Sequence, residues 1–397
     1  MTGHAQSYPQ RTDVPTVYIE TENRRSITSK EEYINCTFIY VDGDSLARYE
    51  NTQIRGMIRN ALTYDLGRFM SLKFCPAARF VDLYLNGNYQ GTYQISDQVQ
   101  VHKKRVEVDE DSGWLLEVAN ENSWEDPLIS STGFNIMYNI KNPKDQLLTV
   151  DCRITIGRWI HQFESAVASD DFCDPEKGWR AYVDEEDFIN WYVGAEITGN
   201  IDALYSIYMY KEADDQKIHF GPLWDLDLGY DNSSERSLLN NMEAFLGLWN
   251  RPFEKILQRL WHDPWFVQAC NDRLRELTDR GLQTYLLSHI DSLRTAIWQT
   301  QTENFKKWRI NQKVYDWAKQ SYYTTYDGYI SELKSFVNIH IPYLQRAFAE
   351  RQATAIQQIE NRKSVNSQLY YDLNGRRITS PDRKGIYIQN HHKIVRQ

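Results

Sequence analysis

Apolar positions along the chain change period several times, and each change marks an element. Thr16-Val17-Tyr18-Ile19-Glu20 alternates, turns at Glu22-Asn23-Arg24-Arg25, and is followed by a second strand-like run at 33–41. From Ile58 the spacing becomes helical, with Ile58, Leu62 and Leu66 on one face. Alternation returns at 79–85 and 89–95, two runs separated by Asn86-Gly87. An Asn-Gly pair in that position predicts a two-residue hairpin turn, because both central residues want positive φ. Further strands are predicted at 114–118 and 134–140. Helical spacing then covers 154–168, and Asp184-Glu185-Glu186-Asp187 opens another helix, where first-turn acids complement the helix dipole. These four acids are read as a helix start, not a metal site. A hairpin-like pair at 205–211 and 217–220 follows, and beyond 241 the pattern is almost wholly helical, at 253–261, 264–280, 287–308, 312–317 and 326–349. After Asn361 a polar linker leads to two or three short strands.

This order of elements predicts an α+β fold. Its expected parts are a disordered N-terminus (1–13), a β unit (14–56), a core holding the hairpin (57–240), a helical subdomain (241–360), and a linker with a small β tail (361–397). A length of 397 residues agrees with two or three such units.

Composition narrows the partners. A net charge of −9 without any basic run argues against nucleic acid as the main partner. No apolar stretch approaches the length of a membrane span. The five cysteines are dispersed, with no Cys-x-x-Cys pair, and are expected to be free and mostly buried. Met1-Thr2-Gly3-His4-Ala5-Gln6 shows no charged region followed by an apolar core, so no signal peptide is read there. No Gly-x-Ser-x-Gly occurs, the nine histidines fall in no catalytic or metal spacing, and His219 is read as a packed or turn residue.

The candidate chemistry sits in His219-Phe220-Gly221-Pro222-Leu223-Trp224-Asp225-Leu226-Asp227. In an extended segment, residues i and i+2 face the same side, so Asp225 and Asp227 are expected to converge. Paired carboxylates repel unless a cation or proton lies between them, and an oxygen donor set suits Mg²⁺ or Mn²⁺. A third acid, Asp202, follows Gly199-Asn200-Ile201.

Several of these segments resemble the CotH kinase family, named for spore coat protein H. They are Arg59-Asn60-Ala61-Leu62 with Leu66-Gly67-Arg68, the hairpin from Phe80 to Tyr93, Gly113-Trp114-Leu115-Leu116-Glu117-Val118, Glu196-x-Thr198-Gly199-Asn200-x-Asp202, and the Trp224-Asp225-x-Asp227 segment. The resemblance implies an atypical protein-kinase-like fold that holds ATP and a divalent metal between a β-rich and a helical part. It implies a catalytic role for Asp202, and metal binding by Asp225 with Asp227 as second acid. Asn200, Lys141, Lys211 and Glu117 are the nucleotide-binding candidates, since each lies in or beside a family-like segment. The implied partner is a protein substrate with Ser or Thr; the oligomeric state is left open.

The chain departs from the family at one place. Gln53-Ile54-Arg55-Gly56 runs directly into Met57-Ile58-Arg59-Asn60, where the family has a few dozen residues that carry a nucleotide-facing lysine. Phosphoryl transfer relies on such a lysine. Two functions are therefore expected: a metal- and ATP-dependent Ser/Thr kinase, or an inactive adhesion or scaffold module that keeps the kinase-like shell. A hydrolase using paired carboxylates has no supporting motif. The tail, from Tyr371 to Val395, resembles C-terminal sorting domains of secreted proteins from some Gram-negative bacteria, which implies a location outside the cell or on its surface.

Overall fold

The computed structural model describes residues 8–28, 34–42, 58–119, 127–144, 147–200, 203–232, 253–309, 323–367, 370–374, 376–378, 384–389 and 392–396. The first alternating runs form β1 (Thr16–Thr21) and β2 (Cys36–Val41), and the Ile58 segment forms α1 (Arg59–Phe69). The hairpin is β3 (Ala78–Leu85) and β4 (Asn88–Ser96), joined at Asn86 (φ 50°) and Gly87 (φ 78°), the positive-φ pair that the Asn-Gly turn requires. These four strands make one sheet in the order β2-β1-β3-β4, with β1 parallel to β3 and the other pairs antiparallel. The strands before Gly56 thus share a sheet with the hairpin beyond it.

A second, wholly antiparallel sheet contains β5 (Trp114–Val118), β6 (Leu128–Ser130), β7 (Met137–Asn142), β8 (Tyr208–Lys211) and β9 (His219–Phe220), in the order β6-β7-β5-β8-β9. Between β7 and β8 the chain forms α2 (Val150–Ala168) and α3 (Glu185–Thr198). The Asp184 side chain accepts a hydrogen bond from the Asp187 N–H and caps α3, as the acidic quartet predicts. Every residue of α3 from Asp187 to Thr198 is buried, as expected for a helix packed on all sides. One face of the sheet, with Trp114, Leu116, Val118, Tyr138, Ile140 and Met209, joins the main core with α2 and α3. The other face carries Leu115, Tyr208 and Tyr210 under Phe74, Val99, Val101, Val106 and Val108.

The helical half comprises α4 (Glu254–Leu260), α5 (Pro264–Asp279), α6 (Leu282–Ala296), α7 (Trp298–Trp308) and α8 (Tyr326–Ser367). The run at 287–308 is not one helix: Ile297, at φ −115° and ψ 18°, separates α6 from α7. The last helix extends past 349 to Ser367, and the helix expected at 312–317 lies outside the described residues. In the tail, β10 (Tyr370–Tyr371), β11 (Arg377–Ile378), β12 (Gly385–Gln389) and β13 (His392–Arg396) form a four-stranded antiparallel sheet, where two or three strands are expected. The architecture is α+β. No helix among the described residues is long and apolar enough to cross a membrane. None of the five cysteines forms a disulfide among the described residues, but only Cys270 is buried; Cys36, at the start of the edge strand β2, is exposed and the other three are half-buried, against the expectation that most are buried.

A polar seam fastens the first sheet to α7. Asp82, fully buried on β3, accepts from Tyr89 Oη (2.8 Å), Thr300 Oγ1 (2.6 Å) and Thr12 Oγ1 (2.6 Å). Burial raises its pKa, opposed by these three hydrogen bonds and by Arg11. Asn304 Oδ1 accepts from the Thr92 N–H at 2.9 Å, and a Cβ at Gly91 would collide with Asn304 and Trp308, so this strand approaches the helix only with glycine there.

Candidate functional site

After β9 the chain leaves the sheet at Gly221 (φ 119°) and becomes irregular. Leu223 and Leu226, three residues apart, both point into the main core. Trp224 stacks on Tyr64 (centroids 6.2 Å apart) and meets Tyr208 edge-on (6.5 Å). Asp225 is exposed and Asp227 half-buried. The segment is not extended, which corrects the alternation argument. Asp225 adopts a left-handed backbone, with φ 60°, and residues 227–230 form a turn. A left-handed conformation costs a non-glycine residue roughly 1–2 kcal/mol, and such outliers persist where surrounding structure holds them.

That surrounding structure is visible. Asn60, in the first turn of α1, accepts the Leu226 N–H through Oδ1 at 2.8 Å. Asn200, nearly fully buried, donates Nδ2 to the Asp225 carbonyl at 3.0 Å. Gly199 lets α3 end in a left-handed cap (φ 54°), which places Asn200 at the loop. The Tyr230 N–H donates to the Thr198 carbonyl at 2.6 Å, and the hydroxyls of Tyr230 and Thr63 lie 2.9 Å apart. Asn232 Nδ2 holds the Asp227 carbonyl at 2.7 Å. Beneath the loop, Arg59 is buried. Burial lowers the pKa of its guanidinium, while Glu332, Asp227, Tyr230 and Asp231 act in the opposite direction. Asp202 lies outside the described residues.

The nucleotide candidates do not share one place: Asn200 holds the Asp225 loop, and the other three divide between the two faces of the sheet. Lys141 Nζ and Glu117 Oε2 form an ion pair of 2.9 Å between β7 and β5. Leu115 pairs with Asn142 and Leu116 with Ile140, so Lys141 is the extra residue of a β-bulge, a device that re-aims a side chain. Glu117 lies opposite Tyr208, on the face that also packs Trp224. Lys211 lies opposite Trp114, on the other face. Its buried ammonium donates to the Glu212 carbonyl at 2.8 Å and lies 4.2 Å from the centre of the Trp159 ring. Burial lowers its pKa, opposed by Asp215, Asp214 and Glu212. The chain therefore joins Glu117 to Lys141, and Asn200 to Asp225, and sets Lys211 apart.

A second acidic cluster was not foreseen. Asp184, Asp187 and His219 bring ligand-type atoms within 4.8 Å of one another. The position is already filled by Lys73, whose Nζ lies 2.8 Å from Asp187, 3.1 Å from His219 Nδ1 and 4.0 Å from Asp184. His219 Nδ1 is 2.5 Å from Asp187, its Nε2 is 2.6 Å from Asp215, and its ring stacks on Tyr210. Burial opposes the imidazolium, but the hydrogen bonds to Asp187 and Asp215 outweigh it and raise the pKa. This is an ion-pair network in which the protein supplies partners to its own acids. A Lys and a His distant in sequence from the α3 cap gave no signal of it; Arg59 and Asn60 stood in a recognised motif whose spacing assigned them no role.

No curated protein matches the chain. The profile of the CotH kinase protein family matches residues 48–343, well over half of the sequence, and spans α1, both halves of the Asp225 loop and the ion-paired sheet face. The chain belongs to the CotH kinase family.

Proposed function

We propose that this chain is a secreted or surface-bound CotH-family protein that transfers the γ-phosphoryl group of ATP to a Ser or Thr hydroxyl of a protein substrate. The observation that carries the reading is the loop that presents Asp225, exposed and left-handed, from a buried frame. The carboxylates of Asp225 and Asp227 offer hard oxygen donors that fit Mg²⁺ or Mn²⁺. Such an ion, when bound, neutralises phosphate charge. Asp202 accepts the proton of the acceptor hydroxyl as its oxygen bonds to the γ-phosphorus; the bond to the β–γ bridging oxygen breaks, and ADP leaves with that electron pair. Lys141, aimed by its bulge and held by Glu117, stands in for the lysine of the missing segment as the phosphate partner. Lys211 has no part in this reading, because its charge is buried on the opposite face.

The test is transfer of labelled γ-phosphate to a Ser/Thr-rich acceptor with Mn²⁺ present. Wild type should label, and Asp202→Ala and Lys141→Ala should not, with melting midpoints unchanged. Labelling that survives Asp202→Ala overturns the assignment. The direct passage from Gly56 to Arg59 favours a second reading, a non-catalytic scaffold. On that reading ATP with Mn²⁺ leaves the melting midpoint unmoved, since a ligand bound only by the folded state must raise it.

A further inference from the structure

We infer that Asn60 and Asn200 are positioning residues that clamp a single peptide unit, the one between Asp225 and Leu226, and so set the direction of the Asp225 carboxylate. The two contacts fall on opposite ends of the same planar group. Its oxygen accepts from Asn200 Nδ2 at 3.0 Å, and its N–H donates to Asn60 Oδ1 at 2.8 Å. Because an amide group is planar, fixing both ends fixes the orientation of the whole unit. That orientation restrains ψ of Asp225 and φ of Leu226, and so fixes the peptide plane that leaves Asp225, a residue whose own φ is 60°.

The two asparagines come from rigid supports. Asn60 rides on α1, whose neighbours Leu62 and Leu66 are fully buried, and Asn200 follows the left-handed cap of the buried helix α3. Leu226 itself is buried, so the peptide cannot turn by moving its own side chain outward. The polarity of the clamp is fixed by chemistry: a backbone N–H can only donate and a carbonyl can only accept. Position 60 must therefore supply an acceptor and position 200 a donor. The two positions look alike in sequence and have opposite requirements.

The inference rests on the reading of Asp225 as the metal ligand, and its test separates the two. Titrating the full chain with Mn²⁺ alone by calorimetry should give binding in wild type and none in Asp225→Ala. Outer-shell partners of a metal ligand typically affect affinity by about 10-fold to 100-fold. Asn200→Asp, which turns a donor into an acceptor facing a carbonyl, should weaken Mn²⁺ binding by that order. Asn60→Asp retains an oxygen for the Leu226 N–H and should bind within about threefold of wild type, whereas Asn60→Ala should lose about tenfold. Equal or tighter binding in Asn200→Asp overturns the clamp, because it would make residue 200 a direct ligand. The clamp is also read without metal: hydrogen exchange at the Leu226 amide should be protected in wild type and Asn60→Asp and faster in Asn60→Ala. Equal exchange in all three overturns it even if Mn²⁺ binds. If wild type shows no Mn²⁺ heat, the metal reading fails and the exchange result alone decides the clamp.

Discussion

Strand β9 separates two acidic groups that differ in almost every physical respect. Before it, Asp184, Asp187 and Asp215 surround His219 and Lys73, with contacts of 2.5–2.8 Å at Asp187 and Asp215 and of 3.8–4.0 Å at Asp184, so that the protein itself partners the acids. After it, Asp225 and Asp227 sit on a loop with a strained backbone and an exposed carboxylate. By acid count and ligand spacing the first group is the better metal site. By physical chemistry it is the worse, because an incoming cation must displace the Lys73 ammonium and the His219 ring from contacts already made. Backbone strain and exposed acids cluster at functional sites, which is why the proposed metal site is placed after β9 and not before it.

The largest effect should come from removing the exposed acid. Asp225→Ala should abolish the rise in melting midpoint that Mn²⁺ produces in wild type, a stabilisation of about 2.7 kcal/mol at a hundredfold excess over Kd. An undiminished rise would place the ion elsewhere, and Asp187→Ala would then be the variant to examine. Next in size, His219→Ala should destabilise the metal-free protein by about 2 kcal/mol, since it strips a half-buried partner from two carboxylates. Because the folded pKa of His219 is raised, its contribution is complete below the ordinary histidine value and is lost as pH rises through the raised one. Urea melts of wild type and His219→Gln should therefore converge as pH is raised; divergence would mean that Lys73, not His219, holds the acids.

Smaller and opposite in sign, Asp225→Gly should stabilise the metal-free protein by roughly 1 kcal/mol by releasing the left-handed strain. No change in urea midpoint would show that the conformation costs nothing. Smallest of all, Lys73→Ala should cost under about 1 kcal/mol, because its side chain is 55 % exposed and solvent screens the pair.

How much of this the residues announce depends on range. The Asn86-Gly87 turn and the Asp184 cap involve neighbours in sequence, and both stand where their chemistry indicates. The Asp225 loop looks like a strand if one counts acids at i and i+2. Counting the buried leucines at 223 and 226 gives a spacing of three that no strand supports, and this was the better signal. The Asn60 and Asn200 contacts join positions far apart along the chain, and the Lys141 bulge depends on the pairing of β5 with β7. Neither is encoded in any window of the sequence. The break at Ile297 likewise lacks proline or glycine, so an unbroken helical pattern hides it.

The parallel pairing of β1 with β3 bears on how the protein is made. Thr16 leaves the ribosome first, yet its partner Asp82 is some sixty-six residues behind it. At about 5–20 residues per second, β1 waits roughly 3–13 seconds for that neighbour, with only β2 available in the interval. The Thr12 hydroxyl that completes the Asp82 network waits as long. A nascent chain stalled before residue 85 therefore carries an open strand edge, and chaperone capture should peak for chains of that length and fall once the hairpin has emerged.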